Sequence, residues 1–289
     1  MGVIIKGKPV ADRITKDLID EVNGLKQVGI VPKLVMVRVG NNEGDIAYQT
    51  GAMKKCDKIG IDVEVKELVA DISQEDFIVE IEKINNDNSV NGILIFRPLP
   101  MHIDENKIKH IIAKDKDVDS FNPLNFANVI ANDNTGFPPC TAAAVMEILK
   151  YYDVQLAGKR AAVLGSSTVV GKPVAMMLLN SNSTITMCDI FTKNNPQACS
   201  KAEVLVVAIG KSKLIGADYI KDGAVVVDVG INVDDKGCVT GDVDINQVMD
   251  KVSMITPVPG GVGSVTTSVL AKHVVKACVQ QNSVKCLSD

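Results

Sequence analysis

The stretch RAAVLGSSTVVGKP, residues 160–173, joins an apolar run to a glycine, small hydroxyl residues and a second glycine followed by lysine and proline. An apolar strand that ends at a glycine and continues as a helix presents backbone N–H groups at the helix N-terminus, where phosphate binds well. No glycine lies between Gly165 and Gly171, so the segment departs from the G-x-G-x-x-G pattern. By itself, the stretch fits an ordinary strand–turn–helix unit equally well.

Three further apolar runs surround this stretch, at residues 184–189 (TITMCD), 204–210 (VLVVAIG) and 224–230 (AVVVDVG). They are rich in Val and Ile, which predicts strands buried on both faces. The segment KPVAMMLLN, residues 172–180, predicts a helix between the first two strands. Such alternation is typical of a parallel sheet flanked by helices, so a Rossmann-type dinucleotide-binding domain is favoured over an ordinary strand–turn–helix unit.

The first half of the chain predicts a second, separate α/β unit. Helices are expected at residues 10–27, 45–59 and 73–85, and strands at 33–39, 61–68 and 92–96. A helix at 141–152 connects the halves, and a C-terminal helix at 266–280 follows a glycine-rich loop and is expected to return to the first domain. The predicted domains are therefore residues 1–140 plus 267–289, and residues 141–266.

Composition limits the classes of function. The chain has 289 residues and a net charge of −4 without a basic run, which argues against nucleic acid as a partner. No apolar run is long enough to cross a membrane or to form a signal peptide. The three histidines are far apart, so no metal site is expected. An odd number of cysteines without a C-x-x-C motif predicts reduced thiols in a cytoplasmic protein, at Cys56, Cys140, Cys188, Cys199, Cys238, Cys278 and Cys286.

Eight stretches, in order along nearly the whole chain, resemble the motifs of the methylenetetrahydrofolate dehydrogenase/cyclohydrolase family. They are GILIFRPLP (92–100), KDVDSFNP (116–123), PPCT (138–141), GSSTVVGKP (165–173), FTKN (191–194), DVGIN (228–232), GDVD (241–244) and ITPVPGGVG (255–263). The resemblance implies two α/β domains with a cleft between them, and a homodimer. It also implies oxidation of 5,10-methylenetetrahydrofolate to the 5,10-methenyl form with hydride passing to a nicotinamide, and in most members hydrolysis to 10-formyltetrahydrofolate.

The resemblance also implies a folate site. Tyr48 stands where the family has a tyrosine that packs against the pterin ring, and an aromatic face suits a flat heterocycle. Asp119 matches the aspartate that binds the amino edge of the pterin, and Ser120 stands where glycine is usual. The other expected substrate-binding residues are Phe96, Pro98, Leu99, Pro100, Pro257, Gly260, Gly261 and Val262.

The main departure from the family lies four residues after Tyr48, where the catalytic lysine is replaced by Ala52. The glutamine that contacts this lysine is replaced by Phe96, and the serine before the tyrosine by Asp45. Hydrolysis needs an activated water and moving protons, whereas hydride transfer depends mostly on positioning. The sequence therefore predicts a dehydrogenase with weak or absent cyclohydrolase activity.

Two alternatives remain open. In the first, a substitute cation keeps the enzyme bifunctional. Lys55 lies seven residues after Tyr48, which brings it back near the same helix face, whereas Lys54 lies six residues after Tyr48 and far from that face. Arg97, directly after Phe96, is another candidate cation. The interpretation favoured for both lysines is a solvated charge on the helix surface. The second alternative is a catalytically silent relative that binds folate or nucleotide and acts through a partner.

The dinucleotide side of the resemblance leaves the cofactor open between NADP, which is usual in the family, and NAD. Asp189 ends the second predicted strand, where an acid hydrogen-bonds the ribose 2′-OH and repels a 2′-phosphate, which favours NAD. Thr192 and Lys193 lie nearby and are able to bind a phosphate. The expected cofactor-binding residues are Gly165, Ser166, Ser167, Val170, Gly171, Pro173, Asp189, Ile190, Thr192, Gly210, Gly230 and Ile231.

Overall fold

The computed structural model describes residues 2–234 and 237–288, with side chains up to Ser283. It divides into two compact units, residues 1–12 with 141–266 and residues 13–140 with 267–289. The helices and strands, in chain order, are β1 (Val3–Ile4), α1 (Gly7–Gln27), β2 (Lys33–Val39), α2 (Glu43–Ile59), β3 (Asp62–Leu68), α3 (Gln74–Asn86), β4 (Gly92–Ile95), α4 (Glu105–Ile111), α5 (Pro123–Ala131), α6 (Cys140–Tyr151), β5 (Arg160–Leu164), α7 (Gly171–Asn180), β6 (Thr184–Cys188), α8 (Asn195–Cys199), β7 (Val204–Val207), β8 (Ala224–Asp228), β9 (Asn232–Val233), β10 (Val239–Thr240), α9 (Ile245–Val248), β11 (Val252–Ile255) and α10 (Thr266–Ser288).

The N-terminal residues belong to the other unit than the sequence predicts. Residues 1–12 were expected in the first domain, but they group with residues 141–266. Strand β1 pairs in parallel with β11, and the N–H of Gly7 donates to the carbonyl oxygen of Gly260 at 2.8 Å. Two residues are too short for a convincing strand pattern, so this pairing depends on a tertiary partner.

The unit containing residues 141–266 is built on a six-stranded parallel sheet in the order β1-β11-β8-β7-β5-β6. Strand β5 has β6 on one side and β7 on the other, so the chain reverses its direction of travel across the sheet at β5. A parallel sheet wound in two directions is the doubly wound α/β architecture. The predicted fold class is therefore confirmed.

Strand β6 differs from its prediction as a strand buried on both faces. It lies at the edge of the sheet and pairs only with β5. Of its residues, Cys188 is buried, whereas Thr184, Thr186 and Met187 are exposed. The central strands β7 and β8 are buried throughout. The TITMC sequence is apolar enough for an inner strand, and only the sheet order shows that it lies at the edge.

The unit containing residues 13–140 is built on a three-stranded parallel sheet in the order β3-β2-β4. Asp117 adds one further parallel bridge, to Ile93 of β4. The apolar core on this sheet includes Phe77 and Ile81 of α3. Ser73 caps α3, since its hydroxyl accepts from the N–H of Asp76 at 3.0 Å.

Helix lengths exceed their predictions at three ends. Helix α1 begins at Gly7 and α2 at Glu43, where the Asn42 side chain caps the helix, and α10 continues to Ser288. In the described part of the chain, no helix has the length and apolarity that crossing a membrane requires. The cysteines whose side chains are described are reduced thiols, and the side chain of Cys286 lies outside the described residues.

Candidate functional site

The predicted cofactor-binding residues lie at one edge of the six-stranded sheet. Gly165 directly follows β5 and Asp189 directly follows β6. Gly210 lies in the loop after β7, and Gly230 lies in the loop after β8. Because these strands are parallel, their carboxyl ends meet at the same edge, and doubly wound sheets bind ligands there. The structure therefore brings together segments that are up to 65 residues apart in sequence, from Gly165 to Gly230.

The turn between β5 and α7 requires both of its glycines. Gly165 has φ +119°, and a Cβ atom there would collide with the carbonyl oxygen of Ala208. A Cβ atom on Gly171 would collide with the carbonyl oxygen of Gly165. Pro173 stands in the first turn of α7, where no intrahelical hydrogen bond is lost. The motif thus lets strand and helix approach at backbone distance, as the sequence predicts.

The same turn has backbone donors available for an anion. Ser167 Oγ accepts from the N–H of Val170 at 3.1 Å and of Gly171 at 3.4 Å, so the helix is capped by its own loop. In the described residues, no hydrogen bond involves the N–H groups of residues 166–169. Residues 167–169 are exposed. Backbone N–H groups beside a helix N-terminus suit phosphate oxygens, so this loop fits a dinucleotide pyrophosphate.

Asp189 has one carboxylate oxygen engaged by its own loop. Oδ1 accepts from the N–H of Phe191 at 2.9 Å and from Thr192 Oγ1 at 3.3 Å. No hydrogen bond in the described part of the chain involves Oδ2, which is therefore able to accept from a ribose hydroxyl. The neighbouring Ile190 and Phe191 side chains are exposed, Phe191 at 84%. The loop thus presents an acid and two apolar side chains at the end of β6.

Two buried aspartates fasten the loops after β7 and β8, a role that the sequence did not reveal. The carboxylate of Asp242 accepts from the N–H groups of Ile209, Gly210 and Lys211 at 2.7–3.0 Å. The carboxylate of Asp228 accepts from the N–H groups of Gly230, Asp242 and Val243 at 2.9–3.1 Å. Burial raises the pKa of Asp228 to about 6. These acids connect the DVGIN and GDVD motifs. The one feature of the sequence that could have indicated this role is that each acid lies next to or near a glycine in one of the two motifs.

A cavity of about 260 Å³ lies beside these loops in the same unit. It brings together residues that the sequence assigned separately to the nicotinamide and the folate. The lining includes the loops after β8 and β11, with the predicted residues Gly230, Ile231, Pro257, Gly260, Gly261 and Val262.

The predicted folate residues of the other unit also follow the carboxyl ends of parallel strands. The segment 96–100 follows β4, and Asp119 follows the bridge between Ile93 and Asp117. Tyr48 lies on α2, which follows β2, and its ring meets the Phe96 ring edge-on with 6.0 Å between centroids. The sheet therefore places the aromatic pair at the same edge as Asp119.

Asp119 has a cation and a backbone donor beside it. Its Oδ1 accepts from the N–H of Cys140 at 2.8 Å, and its Oδ2 lies 4.0 Å from Nη2 of Arg97. Burial raises the pKa of Asp119, and the hydrogen bond from Cys140 and the charge of Arg97 oppose this effect. The guanidinium of Arg97 lies 4.5 Å above the centroid of the Phe121 ring. Arg97, whose direction the sequence could not give, therefore faces the Asp119 carboxylate.

The position at which the resemblance places the family's catalytic lysine is fully buried. Ala52 is 0% exposed on α2. Lys54 is exposed, in agreement with its interpretation as a solvated charge. Lys55 is half-buried and its Nζ donates to Thr15 Oγ1 of α1 at 2.9 Å. This contact holds the Lys55 amine against α1, which disfavours the role of a substitute catalytic lysine.

The loop carrying Asp119 is shaped by residues whose roles the sequence did not show. Ser120 has φ +59°, a left-handed conformation that explains why glycine is usual there. Its buried Oγ has no hydrogen-bond partner in the described structure. Asp117 accepts from the N–H groups of Phe121 and Asn122 at 3.0 and 2.7 Å, and burial raises its pKa to about 6. In the KDVDSFNP motif, Asp117 therefore holds the loop in shape, whereas Asp119 is the aspartate beside Arg97.

Cys140 and His273 form a buried pair behind this loop. Nδ1 of His273 lies 2.9 Å from the carbonyl oxygen of Val118, and 3.7 Å from Sγ of Cys140. Burial lowers the pKa of His273 to about 4 and raises that of the Cys140 thiol. Both groups are therefore neutral near pH 7, and they support the loop without providing a nucleophile.

A doubly wound sheet with a glycine turn suited to phosphate, together with a second α/β unit, is the architecture of a two-domain α/β protein of the dinucleotide-binding class. Residues 139–282 match the tetrahydrofolate dehydrogenase/cyclohydrolase NAD(P)-binding domain, and residues 5–119 match the catalytic domain of the same family. The chain belongs to the tetrahydrofolate dehydrogenase/cyclohydrolase family.

Relatives of known sequence or structure agree. The "Bifunctional protein FolD" of Alkaliphilus metalliredigens is 59% identical over 284 residues, covering 98% of this chain and 100% of that protein. The crystal structure of the bifunctional enzyme FolD from Campylobacter jejuni has a TM-score of 0.95 and 38% identity, over 97% of this chain and 99% of that one. The Trypanosoma brucei FolD structure, complexed with NADP cofactor and inhibitor, has a TM-score of 0.92 and 32% identity, over 98% of each chain.

Proposed function

We propose that this chain oxidises 5,10-methylenetetrahydrofolate to 5,10-methenyltetrahydrofolate, with hydride transfer to a nicotinamide dinucleotide, and that it hydrolyses the methenyl product slowly or not at all. The observation that carries the second part is the fully buried Ala52 at the position of the family's catalytic lysine. Family membership supports the first part. The expected homodimer is part of the proposal, and analytical ultracentrifugation tests it.

The residues divide into two groups by task. The 165–171 turn and Asp189 would hold the pyrophosphate and the ribose, and the nicotinamide, when bound, accepts the hydride. Tyr48 and Asp119 would hold the pterin by ring packing and by accepting from its amino edge. Removal of hydride leaves a cation shared between the two folate nitrogens, so no protein base takes a proton in this step. Ala52 is therefore no obstacle to oxidation.

Hydrolysis needs a group that transfers protons, and the residues at the positions that the family uses for this do not supply one. Water must be activated and protons must move as the ring opens. Ala52 has no titratable group, and Phe96 packs edge-on to Tyr48 where the family has a glutamine. Neither replacement supplies a side chain that can transfer a proton. The lysine and its partner are absent together, which is consistent with the loss of one activity.

The bifunctional enzyme is the second candidate. Relatives of 57% and 59% identity are named "Bifunctional protein FolD". Arg97, which lies 4.0 Å from Asp119, is a cation within the proposed folate site and supports this candidate. However, a guanidinium stays protonated at any working pH and cannot act as a general base.

Absorbance of the methenyl intermediate separates the candidates. Purified protein is mixed with methylenetetrahydrofolate and either NAD or NADP, and reduced cofactor is followed in parallel. Accumulation of the intermediate beyond its spontaneous hydrolysis supports the monofunctional dehydrogenase. Cofactor reduction with faster disappearance than in buffer supports the bifunctional enzyme, and cofactor binding without reduction supports a silent relative.

A further inference from the structure

Arg97 has almost no protein partner for its guanidinium. Its Nη2 lies 4.0 Å from Oδ2 of Asp119, longer than a charge-assisted hydrogen bond of about 2.7–2.9 Å. Across residues 2–234 and 237–288, no hydrogen bond involves its five N–H donors. The side chain is nevertheless only 21% exposed. None of its nitrogens is among the fully buried atoms without a partner in the described residues, so an acceptor on a ligand is able to reach them.

The guanidinium is held in place by stacking. It lies 4.5 Å above the Phe121 ring centroid, within the range of a cation–π contact. Stacking covers one face of the planar group and leaves its N–H edge available to an acceptor. On the other side, the hydrogen bond from Cys140 fixes the Asp119 carboxylate. The N–H edge of Arg97 and the carboxylate of Asp119 are therefore both held in place, and the 4.0 Å between them is longer than a direct hydrogen bond.

We propose that Arg97 is a substrate-binding residue that donates to the 4-oxo group of the pterin, beside the 2-amino and N3–H edge that Asp119 accepts. This inference rests on the proposed folate site. A 2-amino-4-oxopyrimidine ring presents two donors and then an acceptor along one edge, which a carboxylate next to a guanidinium complements. A 2,4-diamino ring has a donor at position 4 and opposes the guanidinium. Arg97 thus selects the 4-oxo class of ligand.

A purely structural Arg97 predicts something different. A partly exposed ion pair at 4.0 Å contributes only about 0–1 kcal/mol. Loss of such a pair would change the shape of the loop and would lower the affinity of the site for every ligand by a similar factor. Discrimination between 4-oxo and 4-amino ligands is therefore the readout that separates ligand contact from loop support.

The test is calorimetric titration of the full chain with tetrahydrofolate and with its 2,4-diamino counterpart. The variants are Arg97→Met, which keeps the length and removes the donors, and Arg97→Lys, which keeps the charge. Arg13→Met, an exposed arginine on α1 of the same unit, is the matched control. NAD affinity is measured for each protein to show that the dinucleotide unit is intact.

We expect Arg97→Met to weaken tetrahydrofolate binding roughly 10- to 100-fold while leaving the affinity for the 4-amino ligand nearly unchanged. Arg97→Lys should recover part of the loss, and Arg13→Met should match the wild type. Equal weakening of both ligands, or no weakening of either, overturns the inference. If the wild type binds tetrahydrofolate but reduces no cofactor, the proposed function fails while the Arg97 result still stands. If the wild type binds neither ligand, both fail.

Discussion

At the scale of residues, the proposed loss of hydrolysis and the proposed cofactor preference each rest on one or two side chains. Ala52 removes a titratable group from a buried helix position, and Phe96 adds a ring beside Tyr48. Asp189 adds a negative charge at the end of β6. The sequence shows each of these residues, because the neighbouring residues match the family's motifs. It does not show whether another cation takes the place of the lysine, because the direction of a side chain depends on the fold.

Introducing the lysine and glutamine expected from the family tests the proposed loss of hydrolysis. The double variant Ala52→Lys with Phe96→Gln is expected to catalyse methenyl hydrolysis at least about 100-fold faster than the wild type, since proton transfer typically contributes that much. Decay of methenyl absorbance measures it. Ala52→Lys alone is the control, because an ammonium buried without a partner should lower stability and restore little. A wild type that already hydrolyses as fast as the double variant contradicts the explanation.

Changing Asp189 tests the cofactor preference. Asp189→Ser removes a negative charge but keeps a hydroxyl that is able to support the turn. We expect the ratio of kcat/KM for NADP to that for NAD to rise about 10-fold, because repulsion of the 2′-phosphate disappears. Steady-state kinetics with both cofactors gives this ratio, and Asp218→Ser, an exposed acid elsewhere in the unit, should leave it unchanged. An unchanged ratio in Asp189→Ser would show that this acid does not select the cofactor.

At the scale of elements, the β5–α7 turn joins strand and helix at backbone distance. The motif made this predictable, since no side chain fits where two backbones meet. The order of the strands was less accessible. A sequence pattern gives the burial of a strand but not its neighbours, so the edge position of β6 and the pairing of β1 with β11 appear only in the assembled sheet.

The close approach in this turn has a direct test. In Gly171→Ala, the new Cβ atom would collide with the Gly165 carbonyl oxygen, and we expect a loss of about 1–3 kcal/mol of stability together with weaker dinucleotide binding. Gly24→Ala on α1 is the matched control. Apart from its chain neighbours and the backbone of its own helix, no atom of the described residues lies within 4 Å of its new Cβ, so it should stabilise the protein by about 0.5–1 kcal/mol. Urea unfolding and calorimetry with NAD measure both, and unaltered NAD affinity in Gly171→Ala would count against the role of the turn.

For the whole molecule, buried titratable groups make stability depend on pH. His273 has its pKa lowered by burial from 6.5 to about 4. The stability that it contributes is therefore present above pH 6.5 and is lost as the pH falls from 6.5 towards 4, because the unfolded chain binds the proton first. Asp117 and Asp228, with pKa values raised to about 6, act in the opposite direction, adding stability as the pH falls through 6.

A variant comparison isolates the histidine from these acids. His273→Gln keeps a side-chain N–H for the Val118 carbonyl oxygen but does not titrate. Its destabilisation relative to the wild type is expected to shrink by about 2 kcal/mol between pH 7 and pH 5, since 1.5 pH units correspond to that free energy. Urea unfolding at the two pH values measures the difference, in which the aspartates cancel. A destabilisation that is the same at both pH values would show that His273 is not buried in its neutral form.

The sequence by itself determined strands β2 to β8, the glycine turn after β5, the family and the alanine at position 52, because these depend on local patterns of apolar residues, glycines and spacing. Only the tertiary structure decided that residues 1–12 join the dinucleotide unit, that Asp228 and Asp242 fasten two loops, and that Arg97 faces Asp119. These features are contacts between segments distant in the chain. Their geometry is fixed by how sheets and helices pack, which no local pattern records.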